Sequence, residues 1–181
     1  MTTVVRIACF IVAGAIAGSS VKPAHAGDGT YGFPVFRLGL GPGFYLPAGG
    51  DTRTGFELDL AVGARIGLGT PFALKPEAGY TYSGDDVFGG HRGTLGAALM
   101  VMIDDGFGIG WMPRFVVGSS GEATGIGMRN SLVVDLLFAF SVEVSHEWLS
   151  VDGRGLHEAR LMIGIDFVPL FAALLFANMT D

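Results

Sequence analysis

The sequence predicts an all-β protein, a transmembrane up-and-down antiparallel β-barrel of about eight strands that follows a cleavable N-terminal signal peptide. Three observations indicate this fold. The chain begins with the pattern of an export signal, the rest alternates apolar and polar residues, and the charges of each predicted strand share one face. The chain is 50% apolar and 15% charged, yet no stretch after the signal reaches 18 uninterrupted apolar residues. Membrane-spanning helices therefore do not explain its hydrophobicity.

The first 26 residues have the three parts of a secretory signal. Arg6 gives an early positive charge, residues 7–18 form a short apolar core, and Ala24-His25-Ala26 ends it with the small-x-small pattern that signal peptidase cleaves. The apolar core is shorter than the ~20 residues of a spanning helix. We therefore expect export through the general secretory pathway and three regions: a signal peptide (1–26), a barrel (27–168) and a C-terminal tail of unknown structure (169–181).

The composition of the mature chain excludes several classes of function. Its only cysteine, Cys9, lies in the signal, which rules out disulfides, cysteine–zinc sites and cysteine nucleophiles in the mature protein. Without Arg6 and Lys22 the chain has 9 basic and 17 acidic residues, a net charge of −8. Such a charge argues against a nucleic-acid partner.

Period-two alternation separates the mature chain into strands bounded by Gly, Asp, Pro and Ser clusters. The predicted strands are Val35–Leu46, Thr54–Leu68, Phe72–Tyr82, Arg92–Ile103, Phe107–Val117, Thr124–Leu137, Phe140–Ser150 and Leu156–Val168. Each is long enough for a tilted strand to cross a bilayer, which takes ~9–11 residues.

All fifteen charges of the predicted strands lie on the face opposite the apolar row. They are Arg37, Glu57, Asp59, Arg65, Lys75, Glu77, Arg92, Arg114, Arg129, Asp135, Glu143, Glu147, Glu158, Arg160 and Asp166. A soluble barrel would have its apolar face inside, but here the apolar row is too complete to face water and the charged row is balanced. The pattern is typical of a barrel with lipid outside and a polar interior.

Two further features concern the ends and interruptions of the strands. The connections after the first, third, fifth and seventh strands are longer than the others, which is typical of the outer side of an outer-membrane barrel. Pro42, Pro76 and Pro113 fall within predicted strands, where each removes a backbone donor, so we expect bulges or shortened strands there.

The whole mature chain resembles the small OmpA/OmpX-type outer-membrane barrels. The resemblance rests on the strand pattern, and Phe167 in Gly164-Ile165-Asp166-Phe167 occupies the place of the terminal aromatic residue that the assembly machinery reads. The chain departs from the family because 14 residues follow Phe167. The resemblance implies a monomer in the outer membrane of a Gram-negative bacterium, in contact with lipid, lipopolysaccharide and, during biogenesis, the barrel-assembly machinery.

The fifteen charges permit two interpretations. An eight-stranded barrel holds little more than its own side chains, so the favoured one is a salt-bridged plug, because an unpaired buried charge is costly. The alternative is a narrow ion path or a voltage-sensitive plug. We expect Arg114, Arg129 and Arg160 to pair with acids drawn from the set Asp135, Glu143 and Glu158.

Two groups of residues are weak candidates for catalysis. Ser83, Asp85 and His91 lie close together in one loop and have the right types for a hydrolase, although any polar loop contains such residues. Ser145 and His146 are adjacent on a strand, so their side chains should point to opposite faces and form no dyad. His157, at a strand end, is expected to be an interfacial residue.

The sequence therefore predicts a non-enzymatic outer-membrane barrel that contributes to envelope integrity or surface interaction. The alternatives are a lipid-A-modifying hydrolase or acyltransferase and a small pore. We expect no cofactor and no metal site, because the acidic residues of the loops are scattered singly.

Overall fold

In the computed structural model of the protein, the described residues are 32–46, 52–69, 71–84, 90–103, 107–120, 123–137, 139–151 and 153–168. They include all eight predicted strands. The expected signal peptide (1–26) and the C-terminal tail (169–181) lie outside them. Among the described residues, no helix is long and apolar enough to cross a membrane.

Eight antiparallel strands form a closed barrel in which each strand pairs with its sequence neighbours and β1 pairs with β8. The strands are β1 (Gly32–Leu46), β2 (Arg53–Gly67), β3 (Phe72–Ser83), β4 (Gly90–Met102), β5 (Phe107–Ser120), β6 (Ala123–Leu136), β7 (Phe140–Val151) and β8 (Arg154–Asp166). The predicted fold and strand number are confirmed. The predicted bounds differ from those of the structure by at most three residues.

The register fixes the tilt and width of the barrel. A row of directly paired residues that leaves β1 at Phe36 passes through every strand and returns to β1 at Leu46, ten residues further along. Such an offset tilts the strands by about 35–45° and leaves an interior just wide enough for side chains.

The three prolines disturb the sheet less than expected. The register is the same before and after Pro42, Pro76 and Pro113, so the predicted bulges and shortened strands are wrong. Each proline instead lacks pairing with one of its two neighbouring strands. Pro42 pairs with β2 but not β8, Pro76 with β4 but not β2, and Pro113 with β6 but not β4. A missing N–H thus costs pairing on one side only.

The outward face of the barrel is apolar and exposed. Large side chains such as Phe56, Leu132 and Ile163 are 58%, 50% and 61% exposed. A continuous apolar surface of this kind is too large for a soluble monomer and suits the hydrocarbon of a bilayer.

The connections group at two ends of the barrel. The loop end carries residues 47–52, 84–89, 121–122 and 152–153, and the turn end carries residues 68–71, 103–106 and 137–139. The predicted alternation of long and short connections is therefore wrong for two hairpins, since β5–β6 and β7–β8 pair up to two-residue connections. The second of these ends on Gly153, whose φ of 75° suits the tight turn of an Asp-Gly sequence.

The end of β8 differs slightly from the prediction. The strand was expected to reach Val168, but it ends at Asp166, and Phe167 and Val168 form a short helical turn. The ring of Phe167 packs on that of Phe36, with 5.9 Å between the ring centres. The aromatic residue therefore lies against the first strand, at the seam where the barrel closes.

Candidate functional site

The interior of the barrel is the most polar buried region of the described chain. All fifteen charged residues predicted for the inward face are buried, none more than 8% exposed, and every strand contributes at least one. They lie inside because side chains alternate between the two faces of a strand and the outer positions are apolar. The barrel thus encloses a set of charges that have to satisfy one another.

A central group joins two arginines to three carboxylates. Arg37 on β1 contacts Asp59, Glu77 and Glu143 at 3.3, 3.1 and 3.0 Å. Arg114 on β5 contacts Glu77 at 3.3 Å and donates to both oxygens of Glu143. Both guanidinium groups therefore share the same two glutamates, and five strands are joined across the lumen.

A second group, the loop-side group, lies nearer the loop end and has the same design. Arg92 on β4 contacts Glu57, Glu147 and Glu158 at 3.7, 3.0 and 3.1 Å. Arg160 on β8 contacts the same three carboxylates at 3.0, 3.2 and 2.7 Å. Because each guanidinium carries five donors, two arginines can hold three carboxylates.

Arg129 on β6 connects the loop-side group to the central group. Its guanidinium contacts Glu147 at 2.8 Å and Asp59 at 3.5 Å. It also donates to the hydroxyl of Thr81, which in turn donates to Asp59 at 2.6 Å. The two groups are therefore parts of one network.

A third group, the turn-side group, continues the network toward the turn end. Lys75 contacts Glu77 of the central group at 3.3 Å and Asp135 at 3.2 Å. Arg65 also pairs with Asp135. The ion pairs thus form one chain along the barrel axis, from the loop-side group to the turn-side group.

The network is balanced in charge. Of the fifteen residues, fourteen take part in ion pairs, seven basic and seven acidic. The fifteenth, Asp166, accepts hydrogen bonds from the backbone N–H groups of Phe36 and Val168. Since a buried charge without a partner is expensive, this balance is what makes so polar an interior tolerable.

Two apolar clusters pack inside the barrel among the ion pairs. The cluster toward the turn end consists of Ala73, Ala98, Met100, Met112 and Val133, with Met102 packed against it. The cluster toward the loop end consists of Val116, Leu149 and Val151, with Ala123 and Leu156 packed against it. Together with the ion pairs, these side chains fill much of the lumen enclosed by the described strands.

The expected ion pairs form in part. Arg114 contacts Glu143 and Arg160 contacts Glu158. Asp135, however, contacts cations from β2 and β3, on the opposite side of the barrel. Which residues meet across the lumen depends on the tilt of the barrel, and no local pattern of the sequence contains that information.

The residues suggested for a hydrolase are not brought together. Ser83 is buried, faces the interior and shares a hydrogen bond with the hydroxyl of Tyr45. His91 lies on the outer face, where its Nδ1 shares a hydrogen bond with the hydroxyl of Tyr80. The barrel wall separates the serine from the histidine, and Asp85 lies outside the described residues. The described chain therefore provides no Ser–His dyad at this position.

Ser145 and His146 lie on opposite faces, as their adjacency on β7 requires. Ser145 is buried in the interior, whereas His146 is exposed on the outer face. His157 on β8 is also exposed on the outer face, next to His146. Among the described residues, no group of three or more His, Cys, Asp or Glu side chains is arranged to hold a metal ion.

Sequence reasoning missed the neutral side chains that complete the network. Three hydroxyl groups donate to interior carboxylates. They are Tyr45 to Glu57 at 3.1 Å, Thr81 to Asp59 at 2.6 Å and Ser131 to Glu143 at 2.7 Å. The sequence does contain a signal for them. Each lies an even number of positions from a charged residue of its own strand, and therefore on the same, inward face.

Interior glycines make room for the large charged side chains. A Cβ atom at Gly96 would lie 2.8 Å from Cγ and 2.9 Å from Cα of Arg114 and would clash with the carbonyl oxygen of Pro113. We expect Gly96→Ala to lower the free energy of unfolding by about 1–3 kcal/mol, as overpacking does. Gly93→Ala is the control on the outer face of the same strand, where the nearest atom, the Val117 carbonyl oxygen, is 3.9 Å away. Urea unfolding in detergent micelles measures both, and equal stabilities would contradict this account of packing.

The same fold occurs in a solved outer-membrane protein. The crystal structure of Neisserial surface protein A is similar over 75% of this chain and 97% of that chain, with 12% identity and a TM-score of 0.52. Ail, the attachment invasion locus protein of Yersinia pestis, aligns over 76% and 97%, with 13% identity and a TM-score of 0.43. No protein-family model matches the sequence, and no curated protein is significantly similar to it. The chain has the closed eight-stranded fold of small outer-membrane β-barrels.

Proposed function

We propose that this protein is a non-enzymatic component of the outer membrane of a Gram-negative bacterium, where its closed barrel contributes to the integrity of the envelope. One observation carries the proposal: seven basic and seven acidic side chains form a single ion-pair network inside the barrel. Such an interior holds the wall together and leaves the outer surface as the part that contacts the membrane.

The export signal and the outer face together support this location. The first 26 residues have the pattern of a secretory signal, and the barrel presents large apolar side chains to its surroundings. A closed barrel satisfies every backbone polar group without water, which is the requirement for a β-protein in lipid. The bacterial outer membrane is where exported chains of this fold reside.

The packing of the interior favours a closed barrel over a pore. Arg37 and Arg160 are each 2% exposed, and each contacts three carboxylates. A continuous water path would require several of these contacts to break at once. Apolar side chains such as Met100 and Leu149 pack among the ion pairs and offer no partner to a passing ion.

The short hairpins at the loop end favour a structural role over a broad adhesive surface. Only residues 121 and 122 connect β5 to β6, and only residues 152 and 153 connect β7 to β8. Half of this end therefore consists of tight hairpins. A surface function would depend on the six-residue connections 47–52 and 84–89.

The proposal is tested by expressing the full chain in a Gram-negative host and purifying it from separated membranes. We expect the protein in the outer-membrane fraction, beginning at Gly27, with a gel mobility that changes on boiling. Reconstituted in planar bilayers, it should give no unitary current steps. Recovery from the inner membrane, or sustained unitary currents, would overturn the location or the closed interior respectively.

The structural role is tested in the source bacterium with a deletion strain. The deletion should raise the uptake of a dye that an intact outer membrane excludes. A variant with residues 47–51 and 85–89 replaced by Gly-Ser segments should restore exclusion as well as the wild type does. If only the wild type restores exclusion, or if the deletion changes nothing, an envelope role of the barrel itself is wrong.

A further inference from the structure

Two histidines lie side by side on the outer face of the barrel, His157 near the loop end and His146 in the middle of β7. His146 on β7 is paired with Ala159 of β8, and His157 on β8 is paired with Trp148 of β7, so the two imidazoles are diagonal neighbours on adjacent strands. Both side chains are exposed. His157 lies only three residues from the start of β8, where the strand meets the loop end.

The two rings face each other through their nitrogens. Nδ1 of His157 lies 3.3 Å from Nε2 of His146, whereas the ring centres are 5.4 Å apart. Because the centres are farther apart than the nitrogens, the two nitrogen atoms point into the gap between the rings. The planes differ by 26°. In the neutral pair, one nitrogen donates its proton to the lone pair of the other.

The separation of these nitrogens matches that of two ligands on one metal ion. Zinc–nitrogen bonds are about 2.0–2.1 Å long, and in a tetrahedral site two such nitrogens are then about 3.3 Å apart. A metal ion can thus replace the bridging proton, with the rings turning only enough to direct both lone pairs at it. The displaced proton moves to the far nitrogen of the donor ring, as a change of tautomer.

The surroundings of the pair do not oppose a cation. The residues paired with the two histidines in the register are Asn130, Trp148, Ala159 and Leu46, none of them charged. The basic residues Arg129 and Arg160 of the neighbouring positions point into the barrel. His157, three residues from the start of β8, lies on the loop-end side of the pair, from which water can reach the open coordination sites.

We propose that His146 and His157 form a two-histidine site on the outer surface that binds one divalent transition-metal ion such as Zn²⁺ or Cu²⁺. Neutral imidazole nitrogens suit these metals, whereas Ca²⁺ and Mg²⁺ require oxygen ligands. The site therefore discriminates between the two kinds of cation. It does not depend on the role proposed for the barrel.

The test is a titration of the purified full-length protein, made without a polyhistidine tag, with Zn²⁺ in detergent micelles by calorimetry. We expect one Zn²⁺ per barrel, undiminished by millimolar Ca²⁺ or Mg²⁺. His146→Ala and His157→Ala should each weaken binding about a hundredfold, because either change converts two joined ligands into one. The double variant, which keeps neither ligand, should show no binding at this position.

His91→Ala is the matched control. His91 is a histidine on the outer face near the same end, but its Nδ1 is bonded to the Tyr80 hydroxyl and not to another imidazole. This variant should keep the wild-type affinity, and heat-dependent gel mobility should show that all the variants are folded. Unchanged binding in the His146 or His157 variants, an equal loss in His91→Ala, or competition by Ca²⁺ would overturn the proposal.

Discussion

Replacing Arg160 by methionine is expected to lower the free energy of unfolding by about 3–5 kcal/mol, the cost of removing one partner from a buried ion pair. The Arg160 side chain is fully buried and contacts Glu57, Glu147 and Glu158 within 3.2 Å. Methionine has nearly the same length but no charge, so the three carboxylates are left to share Arg92 and Arg129. Equilibrium unfolding by urea in detergent micelles, followed by tryptophan fluorescence and gel mobility, measures the loss.

Two further variants separate the loss of a partner from the loss of a side chain. Arg53→Met removes an exposed arginine at the loop end of β2 and should change stability by less than about 0.5 kcal/mol. Adding Glu158→Gln to Arg160→Met neutralises the carboxylate that lay nearest the lost guanidinium and should restore part of the stability, as contacting residues do in a double-mutant cycle. If Arg160→Met is no less stable than Arg53→Met, the interior network does not hold the barrel together.

The fold could be predicted because every strand repeats the same signal. In β2, an apolar residue follows each interior position from Glu57 to Arg65. Because only one face of the strand is apolar throughout, only that face can contact lipid, and the orientation of the strand is fixed. The ends of strands were less certain, since pairing in a hairpin continues until the turn stops it. The Asp152-Gly153 sequence is a recognised two-residue turn signal, and giving it full weight would have predicted the tight connection between β7 and β8.

The partners inside the barrel could not be predicted, for a geometric reason. Asp135 meets Lys75 because β6 and β3 face each other across the lumen at heights set by the ten-residue offset of the closed sheet. That offset is a property of the whole barrel, and no single strand encodes it. For the same reason, the diagonal contact of His146 and His157 depends on the β7–β8 register and was not visible in the sequence.

The second large effect on stability is expected for a substitution at Leu132, on the outer face of the barrel. This residue lies in the middle of β6 and is paired with Trp111 and Val144. All three side chains are between 50% and 58% exposed. Leu132→Arg should lower the free energy of unfolding in lipid vesicles by about 2–4 kcal/mol, the cost of an arginine at the centre of a bilayer. Reversible unfolding by guanidinium in vesicles of defined lipid, followed by tryptophan fluorescence, measures this difference.

Thr124→Arg is the control for Leu132→Arg, because it places the same charge on the same face of the same strand but at the loop end. Thr124 is exposed and lies one residue from the start of β6, so its arginine can reach water and should cost no more than about 1 kcal/mol. A large difference between the two variants in vesicles indicates that the apolar face contacts lipid hydrocarbon. Equal stabilities would mean that this face does not contact lipid hydrocarbon.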